Sequence, residues 1–249
     1  MVKYFTSRAF VTDPKDVWDK ETTIGLAEHA ARLGSPSTFD RRGSVLVYDD
    51  FESAPLKWYT TLTGTGGLVT YSNEYPYKGS GCMKIVSPSG AGDYSRAYRF
   101  IGGIAKGLVG IEITVMFKTT VNCKPSISFQ AYTGTKQILA GIRIEQSSTN
   151  GLSYLHDLYP YQDASWTSFN TDFTISTDIP YPIKFVVDID NEKYVRCIFG
   201  GAEIDMSSYT PYVASSTYAQ YILPEIYVVT SAQATMYFDN FILTIEEPP

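Results

Sequence analysis

Apolar and polar residues alternate along several segments of this chain, and that alternation limits the folds it can form. In the segment 111–118, the four odd positions all hold Ile, Val or Phe. The segment 183–189 repeats the pattern, with Ile, Phe, Val and Ile at its odd positions. Successive side chains of a β-strand point to opposite sides of a sheet. A period of two therefore predicts strands with one buried face and one solvent-facing side.

Further segments with strand character follow one another along the chain, separated by clusters of Gly, Pro, Asn, Asp and Ser that favour turns. They are 45–50, 67–72, 82–87, 94–101, 125–132, 137–145, 152–156, 193–199, 219–229 and 234–245. Hairpins are predicted at 189–194, around Asp190-Asn191, and at 199–204, around Gly200-Gly201. Residues 157–181 and 205–218 alternate little and are interpreted as long loops. Many short strands without crossover helices predict an all-β, antiparallel two-sheet sandwich.

The first 44 residues differ from the rest and predict an arm, so that the domains are 1–44 (arm) and 45–249 (sandwich). Residues 22–33 have the apolar spacing of one short amphipathic α-helix, with Gly34 as its stop. One short helix cannot bury its apolar side alone. The arm therefore docks on its own sandwich, on a neighbouring copy or on a shell, through the apolar residues Val17, Trp18, Ile24, Leu26 and Leu33.

Charge and hydropathy exclude several classes of function. The formal net charge is -6, and the only basic pair that stands out is Arg41–Arg42. A protein that binds a phosphate backbone needs clustered cations, so nucleic acid is not expected as a partner. No apolar run reaches the ~18 residues that a membrane span needs, and the first residues lack the apolar core of a signal peptide. We expect a protein made in the cytoplasm without a signal peptide, and no membrane partner.

Three widely spaced cysteines, Cys82, Cys123 and Cys197, do not form a disulfide framework or a zinc motif. They are expected to be small buried side chains. A single bridge between Cys123 and Cys197 stays open as an alternative.

Catalytic motifs are absent from the sequence. It has two histidines, His29 and His156, and lacks a nucleophile elbow, a Walker loop and a zinc-protease motif. Neighbouring acids occur at Asp49/Asp50, Asp188/Asp190 and Glu246/Glu247, at a strand edge, a turn and the terminus. This is not the arrangement that glycoside hydrolysis requires. The chain is therefore predicted not to be an enzyme.

Two aromatic-rich regions are candidate contact surfaces. The first, expected to bind glycan or to form an interface, contains Tyr154, Tyr159, Tyr161, Trp166 and Tyr181. The second contains Tyr209, Tyr212, Tyr218 and Tyr221. Rings with a polar edge suit sugar stacking, subunit contacts and packing beneath loops alike. Trp58 follows an apolar strand after one turn and is expected in the core.

Short motifs resemble a known group of folds. An acidic strand 47–52 precedes Trp58, a Ser-Gly turn leads into the alternating strand 79–85, and segment 237–243 has the form of a last strand. These motifs resemble the opening and closing strands of jelly-roll carbohydrate-binding modules and concanavalin-like sandwiches. The resemblance implies a jelly roll for residues 45–249.

The same resemblance implies a structural calcium ion between the first and last strands. The residues at the matching positions are Asp49, Asp50, Glu52 and Asp239. Calcium takes about six to eight oxygen ligands, which these carboxylates and nearby carbonyls would supply. The alternative is that they are solvated strand-end acids.

A second resemblance concerns the junction between arm and sandwich. Residues 30–43, running directly into the acidic strand, are similar to uncharacterised structural proteins of tailed phages. This implies a virion surface protein, a capsid decoration component that forms a homo-oligomer such as a trimer and attaches to the major capsid or another virion protein. The alternatives are a carbohydrate-binding module with glycan as partner, and a polysaccharide lyase or hydrolase on the same scaffold.

Overall fold

The computed structural model describes residues 42–103, 105–118, 123–146, 155–169, 173–230 and 233–249. This part of the chain contains strands β1 to β18 in two sheets, and every strand pair in it is antiparallel. The all-β two-sheet prediction is thereby confirmed for the described residues. The predicted helix and the arm residues Val17, Trp18, Ile24, Leu26 and Leu33 lie outside them.

The first sheet has eight strands in the order β15-β14-β13-β7-β18-β4-β3, with β1 also beside β18. Its strands are β1 (Ser44–Asp49), β3 (Leu68–Ser72), β4 (Cys82–Val86), β7 (Leu108–Phe117), β13 (Pro180–Asp188), β14 (Lys193–Phe199), β15 (Ala202–Asp205) and β18 (Thr235–Ile245).

The second sheet has ten strands, with the path β11-β10-β9-β8-β17-β5-β2 and with β6, β12 and β16 beside β17, β10 and β9. Its strands are β2 (Tyr59–Leu62), β5 (Tyr94–Tyr98), β6 (Ile101–Gly102), β8 (Cys123–Tyr132), β9 (Lys136–Gln146), β10 (Leu155–Gln162), β11 (Ser165–Trp166), β12 (Phe173–Thr174), β16 (Tyr212–Ser215) and β17 (Tyr221–Thr230).

The core lies between the two sheets and is built from the alternating apolar positions. Phe129 of the ten-stranded sheet stacks on Phe185 of the eight-stranded sheet, with ring centroids 5.9 Å apart and planes within 4° of parallel. Both rings are fully buried. Trp58 is buried against Phe241, at 4.9 Å between ring centroids, which confirms its predicted core position.

Both predicted hairpins are confirmed. Strands β13 and β14 pair with each other, starting with Asp188 opposite Lys193 next to the turn. Strands β14 and β15 pair as well and are connected by Gly200-Gly201. Both glycines have positive φ angles, 56° and 92°, which a two-residue hairpin turn requires.

The two predicted loops are wrong in part, because each contains strands. Residues 157–181 include most of β10 and all of β11 and β12, and residues 205–218 include β16. Pro160 favoured the loop interpretation, yet it lies in β10 opposite Ile142. The Pro160 carbonyl accepts from the backbone N–H of Thr167 at 3.1 Å, on the side away from β9. The missing N–H of the proline points to that same side, so it removes no hydrogen bond to β9.

The alternation in 183–189 predicts that Lys184, at an even position, lies on the solvent-facing side, and this expectation is also wrong. Its side chain is 2% exposed, and its Nζ lies 2.6 Å from Glu247 Oε1 and donates to the carbonyl of Arg42 at 3.1 Å. Arg196 binds the other oxygen of Glu247 at 2.6 Å and the carbonyl of Pro248 at 2.7 Å. The last residues of the chain therefore close over this side of the eight-stranded sheet through a buried ion cluster.

Cys82 and Cys197 are free and buried, so the alternative bridge between Cys123 and Cys197 is not formed. No helix in the described residues is both long enough and apolar enough to cross a membrane.

Replacing Glu247 by alanine should destabilise the protein strongly. The substitution leaves Lys184 and Arg196 buried without their shared carboxylate, and removing one partner of a buried ion cluster costs about 3–5 kcal/mol. Urea unfolding measures the change. The control is Glu203→Ala, which breaks the exposed Arg42–Glu203 pair and should cost less than about 1 kcal/mol. Equal losses in the two variants would contradict the assignment.

Candidate functional site

One face of the ten-stranded sheet points away from the core and carries polar and aromatic side chains. Because strand residues alternate, burial of one set of positions turns the other set outward. The outward residues of β5, β8, β9 and β17 define what we call the outer face: Tyr94, Arg96, Tyr98, Lys124, Ser126, Ser128, Gln130, Tyr132, Gln137, Leu139, Gly141, Arg143, Glu145, Tyr221, Leu223, Glu225, Tyr227 and Val229.

Strand register places these residues in rows across the outer face. Glu225 lies opposite Tyr98 on one side and Ser128 on the other, and Ser128 lies opposite Gly141. The neighbouring row runs from Arg96 through Tyr227 and Ser126 to Arg143 by the same pairings. Residues far apart in the chain thus become neighbours.

Six aromatic side chains contact one another in succession across this face and form what we call the aromatic row: Tyr59, Tyr98, Phe100, Tyr221, Tyr132 and Tyr218. The successive ring centroids are 5.6, 5.7, 5.7, 4.3 and 5.4 Å apart. Tyr59, Phe100 and Tyr218 are 61%, 54% and 64% exposed. The row therefore presents ring surface to solvent at both ends and at its middle.

A hydrogen-bonded network occupies the centre of the outer face. Arg96 Nε lies 2.9 Å from Glu225 Oε2, and the Gln130 amide donates to Glu225 Oε1. Gln130 Oε1 in turn accepts from the Tyr132 hydroxyl at 2.7 Å and from the Gln137 amide at 2.8 Å. Both carboxylate oxygens of Glu225 are thereby held in fixed positions.

Burial raises the pKa of Glu225, while the neighbouring Arg96 and the hydrogen bonds from Arg96 and Gln130 lower it. The net direction is upward because desolvation disfavours the charged carboxylate more than its partners favour it. A carboxyl group of raised pKa on an open sheet face is a candidate for proton transfer.

A second charged cluster lies on β8 and β9, toward the edge of the face. Arg143 lies 2.5 Å from Glu145, which also pairs with Lys124. The Arg143 guanidinium lies over the Trp166 ring, 5.0 Å from its centroid. Such a contact orients the ring by cation–π attraction.

The hairpin that joins β10 and β11 carries the aromatic residues of this edge. Tyr161 and Trp166 are paired across it, with ring centroids 5.0 Å apart in an edge-to-face contact. Its turn residues, Asp163 and Ala164, have positive φ angles of 49° and 59°. This is the geometry of a two-residue hairpin turn, held here without glycine.

The buried Tyr194 of β14 connects this hairpin to the core. Its hydroxyl accepts from the Gly141 backbone N–H at 2.8 Å and lies 3.0 Å from the Gly141 carbonyl and 3.1 Å from the Tyr161 carbonyl. Strand β10 pairs with β9 only as far as Pro160 opposite Ile142. The hydroxyl therefore supplies the bridge where the two strands separate.

Small residues form the floor between the aromatic row and the hairpin. Ser126, Ser128 and Gly141 occupy neighbouring positions of β8 and β9. A Cβ on Gly141 would lie 2.5 Å from the Cβ of Ser128 and 2.9 Å from the carbonyl of Ile127. Only glycine fits here, and because it has no side chain, nothing protrudes from the outer face at this position.

Only part of the predicted glycan or interface set lies on this face. Tyr161 and Trp166 are there, with Tyr212 6.2 Å from Tyr161 between ring centroids. Tyr181 is elsewhere: its ring stacks on Phe199 at 5.7 Å and its hydroxyl accepts from the backbone of Ser176. Tyr154 lies outside the described residues. Tyr159 pairs opposite Arg143 through its backbone.

The residues at the centre of the face, Arg96, Tyr98, Gln130 and Glu225, were not predicted from sequence. The available signal was the outward set of the predicted strands 94–101, 125–132 and 219–229, in which polar and aromatic residues recur at every second position. Tyr218 and Tyr221, predicted as part of a crowded aromatic region, do belong to the aromatic row.

The four residues expected to bind calcium use their carboxylates for internal hydrogen bonds. Asp49 accepts from the indole of Trp58 at 3.0 Å and from the backbone of Phe51, and Asp50 accepts from the backbone of Glu52. Glu52 accepts from Ser80, and Asp239 accepts from three backbone N–H groups. No metal-binding group of three His, Cys, Asp or Glu side chains is found among the described residues. The calcium site stays a prediction.

Comparisons with known proteins identify the fold. No family model matches the chain, and no curated protein matches its sequence. Among solved structures, it is similar to the cellulose-induced protein Cip1, with 15% identity and a TM-score of 0.54 over 80% of this chain and 96% of that one. It also matches an endo-β-1,4-glucuronan lyase of the fungus Trichoderma reesei (10% identity, TM-score 0.48, 81% and 95% coverage). A Bacteroides ovatus GH16 protein matches as well (10% identity, TM-score 0.49, 80% and 100% coverage). The likeness to Cip1 shows a shared two-sheet sandwich fold.

The prediction that the chain is not an enzyme is wrong. That prediction assumed that a sandwich of this kind only binds partners and catalyses no reaction. The matching structures include a glucuronan lyase and a GH16 protein bound to a product.

Asp239 should make stability depend on pH. Burial raises its pKa to about 6, against the lowering effect of its backbone N–H donors. The folded state therefore binds more protons than the unfolded state between about pH 4 and 6, so the free energy of unfolding should decrease as pH rises through that window. The decrease should reach up to about 3 kcal/mol.

Urea unfolding of the wild type and Asp239→Asn between pH 4 and 7 measures this effect, and the variant should lack the decrease. The control is Asp205→Asn, an exposed carboxylate whose pKa is lowered by hydrogen bonds from Ser207. It should keep the decrease. Identical pH profiles for the wild type and Asp239→Asn would overturn the assignment.

Proposed function

We propose that this protein binds a polysaccharide through the outer face of its ten-stranded sheet. The observation that carries the proposal is the aromatic row, in which six rings follow one another at spacings of 4.3 to 5.7 Å. Aromatic rings with polar edges pack against the apolar face of a sugar while their hydroxyls and neighbours bond its hydroxyl groups. A succession of such rings suits a chain of sugars more than a single sugar.

Polar groups beside the aromatic row support the same proposal. The network of Gln137, Gln130, Glu225 and Arg96 offers donors and acceptors held in place by one another. Preorganised groups lose less conformational entropy on binding than mobile side chains do.

Cleavage of a bound glycan is the second candidate function. The raised pKa of Glu225 and the fixed positions of its two oxygens favour it as a proton-transfer group. Glu145, the other carboxylate of the outer face, lies two strands away and four residues along, which is roughly 16 Å between Cα atoms. Hydrolysis by two carboxylates needs a separation of about 5–9.5 Å. Cleavage here would therefore depend on Glu225 without Glu145.

The virion role stays a prediction, as do the homo-oligomer, the capsid partner and the location on a virion surface. Each depends on the arm, and residues 1–41 lie outside the described residues. A sandwich whose outer face binds glycan is compatible with attachment of the chain to a larger particle through its arm.

Replacing exposed rings of the aromatic row should weaken polysaccharide binding. Phe100→Ala and Tyr218→Ala each remove a ring worth about 0.5–1.5 kcal/mol, which is roughly a two- to twelvefold loss of affinity. Affinity electrophoresis in gels containing soluble polysaccharides measures it. Leu68→Ala is the control, because Leu68 is also exposed but lies in β3 of the other sheet. Unchanged migration of both ring variants would sink the proposal.

Glycan cleavage has its own test. The wild type should release new reducing ends from one member of a panel of neutral and acidic polysaccharides. Glu225→Gln should lower the initial rate at least about a hundredfold, the usual contribution of a general acid or base, while Glu145→Gln should retain most of it. Equal rates in Glu225→Gln and the wild type would remove Glu225 from this role.

A further inference from the structure

The cations of the outer face are all matched with carboxylates. Its described outward positions on β5, β8, β9 and β17 hold three cations, Arg96, Lys124 and Arg143, and two carboxylates, Glu145 and Glu225. Arg96 lies 2.9 Å from Glu225, Arg143 lies 2.5 Å from Glu145, and Lys124 also pairs with Glu145. The formal charge of the face is therefore only +1.

This pairing determines how well the arginines can bind an acidic ligand. A guanidinium that already binds a carboxylate would have to leave it before binding an acidic sugar, and the carboxylate left behind would repel that sugar. A surface that binds polyanions instead presents cations without partners, which raise the local potential. The whole chain adds further repulsion through its net charge of -6.

The uncharged groups of the face fit a hydroxyl-rich ligand. Ser126 and Ser128 lie on the floor, with Gln130 in the next row, and phenol groups of the aromatic row stand beside them. Hydroxyl and amide groups both donate and accept hydrogen bonds, as sugar hydroxyls do. Only glycine fits at Gly141, so the floor carries no side chain at that position.

We infer that the outer face selects an uncharged glycan and excludes polyuronates and sulfated glycans, with Glu145 and Glu225 as the residues that set this selectivity by occupying the arginines. The inference rests on the proposed glycan-binding function and names its ligand class.

The experiment removes one of the matching carboxylates. Wild type, Glu145→Gln and the control Glu203→Gln are run by affinity electrophoresis against a soluble neutral β-glucan and against a polyuronate, at low and high salt. Glu203 pairs with Arg42 in the other sheet, so its variant has the same change of net charge away from the face. Thermal unfolding verifies that each variant is folded, and Glu225→Gln replaces Glu145→Gln if the latter unfolds.

The wild type should bind the β-glucan equally at both salt concentrations and should not bind the polyuronate. Glu145→Gln should gain polyuronate affinity by at least about fivefold at low salt, as expected for one uncompensated charge at contact distance, and should lose that gain at high salt. Glu203→Gln should gain none. Polyuronate binding by the wild type, or no gain in Glu145→Gln, overturns the inference and leaves the proposed function standing, whereas binding to neither polysaccharide overturns the proposed function itself.

Discussion

The packing of two sheets against each other through their apolar inner faces is the interaction on which every other feature of this molecule depends. Phe129, Phe185 and Ile111 are completely buried in it, and each such side chain contributes about 1.5–3 kcal/mol. Once Ile226 of β17 must face inward, Glu225 and Tyr227 must face outward, because neighbouring strand residues point to opposite sides. The outer face is therefore a consequence of the core.

Much of the fold follows from this alternation, and the exceptions have identifiable causes. The strands β7 and β13 were predicted closely because their inner positions alternate without interruption. In β18, Phe238 and Phe241 both lie in the core although they are three residues apart. A register shift between Asp239 and Ile242, with Asn240 at φ 52°, inserts the extra residue. Simple alternation does not foresee such a bulge, nor the burial of Lys184 beneath the chain's last residues.

The candidate site was harder to predict than the fold, since its members meet only through strand register. Tyr161 and Trp166 were found from sequence because they are close in the chain and cross one short hairpin. Tyr98 and Glu225 become neighbours only when β5 pairs with β17 in one particular register. A shift of one residue would exchange the inner and outer sets of a strand. The composition of strands can be read from a sequence, but which outward residues lie side by side depends on pairing choices that the pattern leaves open.

A buried side chain of the opposite sheet, Tyr194, joins the core to the candidate site. Tyr194 belongs to the eight-stranded sheet, yet its hydroxyl reaches Gly141 and Tyr161 of the other sheet. It does so where β10 separates from β9, so the bridge ties the base of the Trp166 hairpin to the opposite layer. The hydroxyl is fully buried, and a buried hydroxyl is retained only where hydrogen bonds offset its desolvation. The hairpin turn also contains Ala164 at φ 59°, a conformation that costs a non-glycine residue free energy. The Tyr194 hydroxyl therefore supports this edge of the face from the opposite sheet, which makes Tyr194 a part of the site as well as of the core.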